Sequence, residues 1–126
     1  MRGVQSKITL WRKRLNADTK LYEYERVVLP MLCKWNDTTV RSVSTGQAVV
    51  IQTVRIMIPY VPDFGLDIKQ GDFMALGIIE TEMSNNAPNR TSDLKAILAP
   101  NFIEVQTVLD YTRESRGKHY EVNGVS

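Results

Sequence analysis

Cys33 and His119 are the single cysteine and the single histidine of this 126-residue chain, which narrows the nitrogen and sulfur chemistry at once. A zinc site needs several such ligands converging, and a cysteine nucleophile needs a base within hydrogen-bond reach. His119 stands in a late polar stretch, so Cys33 is read as a small buried apolar residue. Glu80 and Glu82 would share one face of a strand, a spacing that suits paired-carboxylate catalysis and equally a solvated edge; the edge is the expected role. Gly71 and Gly77 lack the Lys-Ser/Thr partner of a phosphate-cradling loop. The expectation is therefore a protein with no catalytic residue, no metal and no cofactor, not an enzyme.

One constellation has the chemistry of nucleic-acid binding. Lys7, Arg12, Lys13 and Arg14 lie close in sequence to Trp11, Tyr22 and Tyr24, the ingredients of a stacking platform for single strands on a small barrel. Glu23 and Glu25 would face those cations across a hairpin and neutralise them, so a solvated hairpin face is expected instead. The formal charge of +2 is too small to attract polyanions broadly. No apolar run approaches the roughly 18–20 residues that span a bilayer. The first residues are polar and basic without an apolar centre, so synthesis in a cytoplasm and no membrane association are expected.

The elements that must carry these residues read as strands. Ile8 and Leu10 alternate with polar neighbours in Lys7–Arg12, and Asn16–Lys20 is turn chemistry. Tyr22 to Val28 forms a second strand that ends near Pro30, and Met31 to Val43 a third with a bulge. Ala48 to Tyr60 is the clearest, with Val50, Val54, Ile56 and Ile58 on one face. Ile68 to Ile79 starts from a Gly-Asp turn, Phe102 to Tyr111 alternates again, and His119 to Val122 suits a closing edge strand, after which the last four residues, 123–126, are expected to fray. Met83 to Thr91 has little apolar area to repay ordering, so a flexible excursion is expected over about residues 83–101. Within it Ser92 or Thr91 caps a short helix to Leu98. The fold class follows: all-β, a small antiparallel barrel of about six to seven strands with long loops and one short helix, in a single domain over residues 1–126.

Apolar residues in or beside the connections, namely Phe64, Leu66, Ile97, Leu98 and Phe102, either fold down over a barrel end or meet another chain. The candidate intersubunit or channel residues are Asp63, Phe64, Leu66, Asp67, Lys69, Asn86, Arg90, Leu98 and Phe102.

The order of several segments resembles the head-closure or stopper proteins of long-tailed bacteriophages. These are Ile8-Thr9-Leu10-Trp11-Arg12-Lys13, Tyr24 to Leu29, Cys33-Lys34-Trp35, Ile56 to Tyr60, Ile68 to Asp72, Phe102 to Val105 and Lys118 to Val122. The Asn85 to Asn101 stretch is longer than that pattern. The resemblance implies a homo-oligomeric ring of roughly twelve or six copies, placed between the portal or adaptor and the tail or terminator proteins. It would sit at the neck of the virion and help retain genomic DNA passing through its channel. Related neck or tail proteins, such as tail terminators and completion proteins, share the same signals. Loops drawn from Val61 to Lys69 and Met83 to Asn101 would narrow the channel.

Overall fold

The computed structural model describes residues 3–44, 47–61, 67–98, 101–111 and 118–125. Eight strands and one helix follow in the order β1 (Gly3–Ser6), β2 (Ile8–Leu15), β3 (Tyr22–Val28), β4 (Cys33–Ser44), β5 (Gln47–Pro59), β6 (Phe73–Leu76), α1 (Thr91–Leu98), β7 (Phe102–Asp110) and β8 (His119–Val125). They form one strongly curled antiparallel sheet in the order β1-β4-β5-β8-β7-β6-β2-β3, an all-β, barrel-like fold. β1 and β2 are separated in the chain only by Lys7, so the circuit of ladders from β2 through β6, β7, β8, β5 and β4 returns to its start at β1.

Strand alternation sorts the apolar residues onto two faces. Ile8, Leu10, Cys33, Trp35, Val54, Ile56, Ile58, Met74, Ile103, Val105 and Val122 fill the concave face with Leu29 and Ile68. Trp11, Phe73, Ala75 and Phe102 lie on the opposite face, where Met83 and Leu94 cover them. The molecule thus has a second apolar layer outside the curl. Burying each large aliphatic side chain contributes about 1.5–3 kcal/mol, so both layers matter to stability.

Several expectations change. β6 is only four residues long because Gly77, at φ 93°, turns the chain at its end, a conformation that suits a residue without a Cβ. There the Thr9 hydroxyl donates to the Gly77 carbonyl at 2.8 Å and accepts from the Ile79 N–H at 2.8 Å. Glu80 and Glu82 therefore do not sit on a strand. β8 is not an edge: Asn123, Gly124 and Val125 pair with β5 on one side and β7 on the other, so the end expected to fray is central. β1 was not foreseen, because Gly-Val-Gln-Ser has no alternation to betray it.

The helix starts differently from the expected Thr91 or Ser92 cap. Asp93 accepts from the Arg90 N–H at 3.0 Å, a side chain reaching back to the residue before the first turn. Thr91 donates to the Met83 sulfur at 3.4 Å. The expected Asn16 turn is present, with Asn16 Oδ1 accepting from the N–H groups of Asp18 and Thr19 at 2.9 and 3.3 Å.

Cys33 is sealed in the concave core. Burial pushes its thiol from the ordinary value of 9.0 up to about 12, with Lys7 pulling weakly the other way. Stability drawn from the neutral thiol is whole below the ordinary value and is lost as pH climbs toward about 12. An aromatic disulfide reagent near neutral pH should label Cys33 only after unfolding. Over the same alkaline window the stability advantage of the wild type over Cys33→Ala should shrink by up to about 1.4 kcal/mol per pH unit. Rapid labelling of the folded protein would contradict this.

Candidate intersubunit surfaces

Asp63, Phe64 and Leu66 lie outside the described residues. Asp67 and Lys69 stand on a turn that the sheet holds down firmly. Its anchor is Asp72, which is 1% exposed and which the sequence presents only as part of a Gly-Asp turn. Asp72 Oδ1 accepts from the Lys13 N–H at 3.0 Å and from Arg14 Nη1 at 2.8 Å, while Oδ2 accepts from the Lys69 N–H at 2.9 Å. The backbone adds a pair: Gly71 N–H to the Val105 carbonyl at 3.0 Å and Val105 N–H to the Asp72 carbonyl at 2.8 Å. Asp67 pairs with Arg14 at 3.0 Å, and its carbonyl accepts from Arg12 Nε at 2.8 Å.

These contacts set the electrostatics. Burial works against the Arg14 cation, yet hydrogen bonds to Asp72 and Asp67 prevail and raise its pKa. The Arg14 hydrogen bond holds the Asp67 carboxyl below its usual range, so the stability it lends is present above that range and lost as pH falls through the lower folded value. Asp67 is half-exposed, and this contribution is small. Asp72→Ala leaves Arg14 and two backbone donors without their acceptor. Because Arg14 is 30% exposed and can rehydrate, the expected loss is about 2–3 kcal/mol in urea unfolding rather than the larger cost of a fully buried pair. Asp72→Asn, which keeps the shape, should lose less. Equal losses would mean the charge contributes nothing.

Asn86, Arg90 and Leu98 belong to the outer layer. The Asn86 carbonyl accepts from Ser84 Oγ and from the Asn89 N–H, both at 3.0 Å, in a turn that holds a cis Ala87–Pro88 bond. Arg90 is ion-paired with Asp93 at 3.0 Å. Leu98 is half-buried against the second apolar cluster, and Phe102 is 2% exposed, stacked on Phe73 with ring centroids 5.6 Å apart. Phe102 is therefore core, not an intersubunit residue: it opens β7 with its side chain on the outer face, where the excursion covers it. The excursion expected to be flexible, residues 83–101, supplies Met83 and Leu94 as buried anchors. Ile97, by contrast, is 74% exposed and does not fold down over the body.

The basic and aromatic residues do not make an open platform. Trp11 is fully buried and donates through Nε1 to the Thr81 carbonyl at 3.0 Å. Arg12 pairs with Glu25 at 3.1 Å, the expected cross-strand neutralisation, whereas Glu23 accepts from Asn16. Arg14 is committed to Asp67 and Asp72, and Lys13 lies over the Tyr22 ring at 4.7 Å. Among the described residues no group of three or more His, Cys, Asp or Glu is placed to hold a metal. A groove of about 400 Å³ crosses β5, β8 and β7 beside Arg55, Gln106 and Asn123, and Arg55 there is paired with Glu121.

The sequence reading missed two surfaces. One is the β2–β3 tip, where Leu15, Leu21 and Tyr22 are 59%, 61% and 49% exposed. The other is the far half of the β4–β5 hairpin. β1 covers β4 only over Cys33–Asn36, and β8 covers β5 only over Thr53–Pro59. The pairs from Thr39↔Gln52 to Ser44↔Gln47 continue as a two-stranded ribbon with no further described strand on either side.

The sequence pattern of DUF6751, a family of unknown function, matches residues 4–125. The chain belongs to that family. For this DUF6751 member, no curated protein and no solved structure gives a match. No helix among the described residues is long and apolar enough to cross a membrane.

Proposed function

We propose that this DUF6751 protein is a structural virion protein of a tailed bacteriophage, a head–tail connector subunit of stopper type. The observation that carries the reading is the placement of Leu15, Leu21, Ile78 and Ile97. These large apolar side chains, at the end of β2, in the connections before β3 and after β6, and on α1, are 59–74% exposed on a body whose own core is already filled. Large apolar groups on an otherwise satisfied surface mark contacts with other protein chains. The resemblance of strand order to stopper proteins supplies the identity of those chains: further copies, the portal or adaptor above and the tail below.

In this reading the work is mechanical. The curled sheet is the rigid part, and the Asp72 anchor ties the connection 61–69 to β2 at its described end. That connection and the segment 83–101 are the elements that would meet neighbours or narrow the DNA channel. The engaged states of Arg12 and Arg14 and the burial of Trp11 favour this reading over a nucleic-acid-binding barrel.

The test is to purify tailed particles from a strain carrying the gene, identify the chain by mass spectrometry, and locate it with a gold-labelled antibody. Label at the neck is the expected result, and disruption of the gene should leave DNA-leaking heads without tails. Particles of normal form and infectivity that lack the chain would overturn the proposal.

A further inference from the structure

We infer that the chain assembles with itself through the uncovered part of its outer face, where a groove over β4, β5 and the start of β8 takes the Ile78–Glu80 segment of a second copy. The inference deepens the connector reading by naming the surfaces that join subunits, and it rests on that reading only for its place in a virion.

On the outer face Met83 and Leu94 cover Trp11, Phe73, Ala75 and Phe102. The same face continues over β4, β5 and β8 without such a cover. Cys33, Trp35, Ile56 and Ile58 take the concave side, so alternation turns Lys34, Met57 and Pro59 outward. Register sets Lys34 beside Met57 and Pro59 beside His119. With Leu32 and Lys118 these residues line a groove of about 270 Å³. Leu32 is 54% exposed, and neighbouring Tyr60 lies 5.7 Å under the Lys118 ammonium. Among the described residues neither Lys34 nor Lys118 has a carboxylate partner, and Glu121, which faces Met57 across the ladder, is taken by Arg55 at 3.1 Å. An apolar floor under two unspent lysines fits an apolar side chain followed closely by a carboxylate.

The chain presents that pattern itself. After Gly77 ends β6, the next residues run without regular structure along the outer face. Ile79 and Thr81 are tied to the body: the Ile79 N–H donates to Thr9 Oγ1, and the Ile79 and Thr81 carbonyls accept from Arg26 and Trp11. Ile78 and Glu80 alternate with them and face outward. Ile78 is 61% exposed, and exposed Glu80 has no ion pair among the described residues. Because its neighbours already fix the segment, docking it costs little further ordering. Burial of Ile78 against Leu32 and Met57 supplies affinity, and the meeting of Glu80 with Lys34 and Lys118 sets the register. Two lysines beside an apolar floor are not the stripe of cations that a nucleic-acid backbone requires. Groove and segment are different surfaces of one chain, so the contact is heterologous and passes from copy to copy, the kind that closes into rings.

The experiment swaps charges in the full chain and reads self-association by sedimentation and mass photometry. Lys34→Glu alone and Glu80→Lys alone should each weaken association at least tenfold with an unchanged thermal midpoint, because like charges then meet. Mixed in equal amounts, the two variants should recover most of the lost affinity, since every contact between unlike copies again joins opposite charges. Ile78→Ser should also weaken association at least tenfold. Should Lys34→Glu fail to fold, Lys118→Glu takes its place in the mixture. A chain monomeric at high micromolar concentration, single variants that associate like the wild type, or a mixture no better than its parts would overturn the inference. So would single-stranded DNA that binds the wild type and not Lys34→Glu while association stays unchanged, which would assign the groove to nucleic acid. Neck labelling of particles without rescue in the mixture would leave the connector reading standing and remove this one; rescue without particle labelling would do the reverse.

Discussion

Trp11→Ala is expected to lower stability by about 3–5 kcal/mol and to release the segment 78–98 from the sheet. Trp11 is fully buried on the outer face of β2, with its ring 5.8 Å from that of Phe102 and in the cluster closed by Met83 and Leu94. Its indole N–H holds the Thr81 carbonyl at 3.0 Å, so one side chain supplies both the greasy floor of the outer layer and a polar tether for it. Truncation opens a cavity too large for its neighbours to fill and frees the segment that lay on it. Trp11→Phe keeps most of the area and loses the tether, for which about 1 kcal/mol is expected. Urea unfolding measures the first effect and limited proteolysis within 78–98 the second. A loss below 1 kcal/mol for the alanine variant, with unchanged proteolysis, would show that the layer is held by other contacts.

Gly124→Ala should cost about 3 kcal/mol, at the upper end for overpacking by a single methyl. A Cβ there would stand 2.5 Å from Ile103 Cδ1 and 2.7 Å from the Glu104 carbonyl oxygen. Gly124 is paired on both sides, with Val54 of β5 and Val105 of β7, next to the bulge where β7 takes an extra residue between Val105 and Thr107. The backbone cannot withdraw from one ladder without pulling on the other. Ile103→Val in the Gly124→Ala background should restore only part of the loss, because it relieves the side-chain clash and leaves the backbone oxygen in place. Full rescue would mean that the carbonyl contact carries no cost, and a neutral Gly124→Ala would mean that the two ladders are not held as tightly as their registers imply.

Much of the architecture is legible in the residues. Ile8 and Leu10, and Val54, Ile56 and Ile58, point to one face because a strand alternates, and a partner strand only has to collect them. Asn16 announces its turn through a side chain that bonds its own backbone, and Cys33 its burial through the lack of any chemical partner nearby. The candidate surfaces were harder to read. Phe102 resembles an exposed loop residue because it stands beside Pro100 and Asn101, and only the packing of α1 and Met83 over β7 hides it. Leu15 and Leu21 resemble ordinary strand and turn residues, and only the absence of a covering element leaves them bare.

Local alternation and turn chemistry determined which stretches became strands, because these preferences act between neighbours a few residues apart. Which strands lie side by side was decided by the tertiary structure. The last strand became central rather than an edge, and the far half of the β4–β5 hairpin outran both neighbours. Asp72 likewise became an anchor only when the curl brought its turn against β2, more than fifty residues earlier in the chain. Such choices depend on how the whole sheet closes its apolar face away from water, a condition that no single segment can meet or reveal alone.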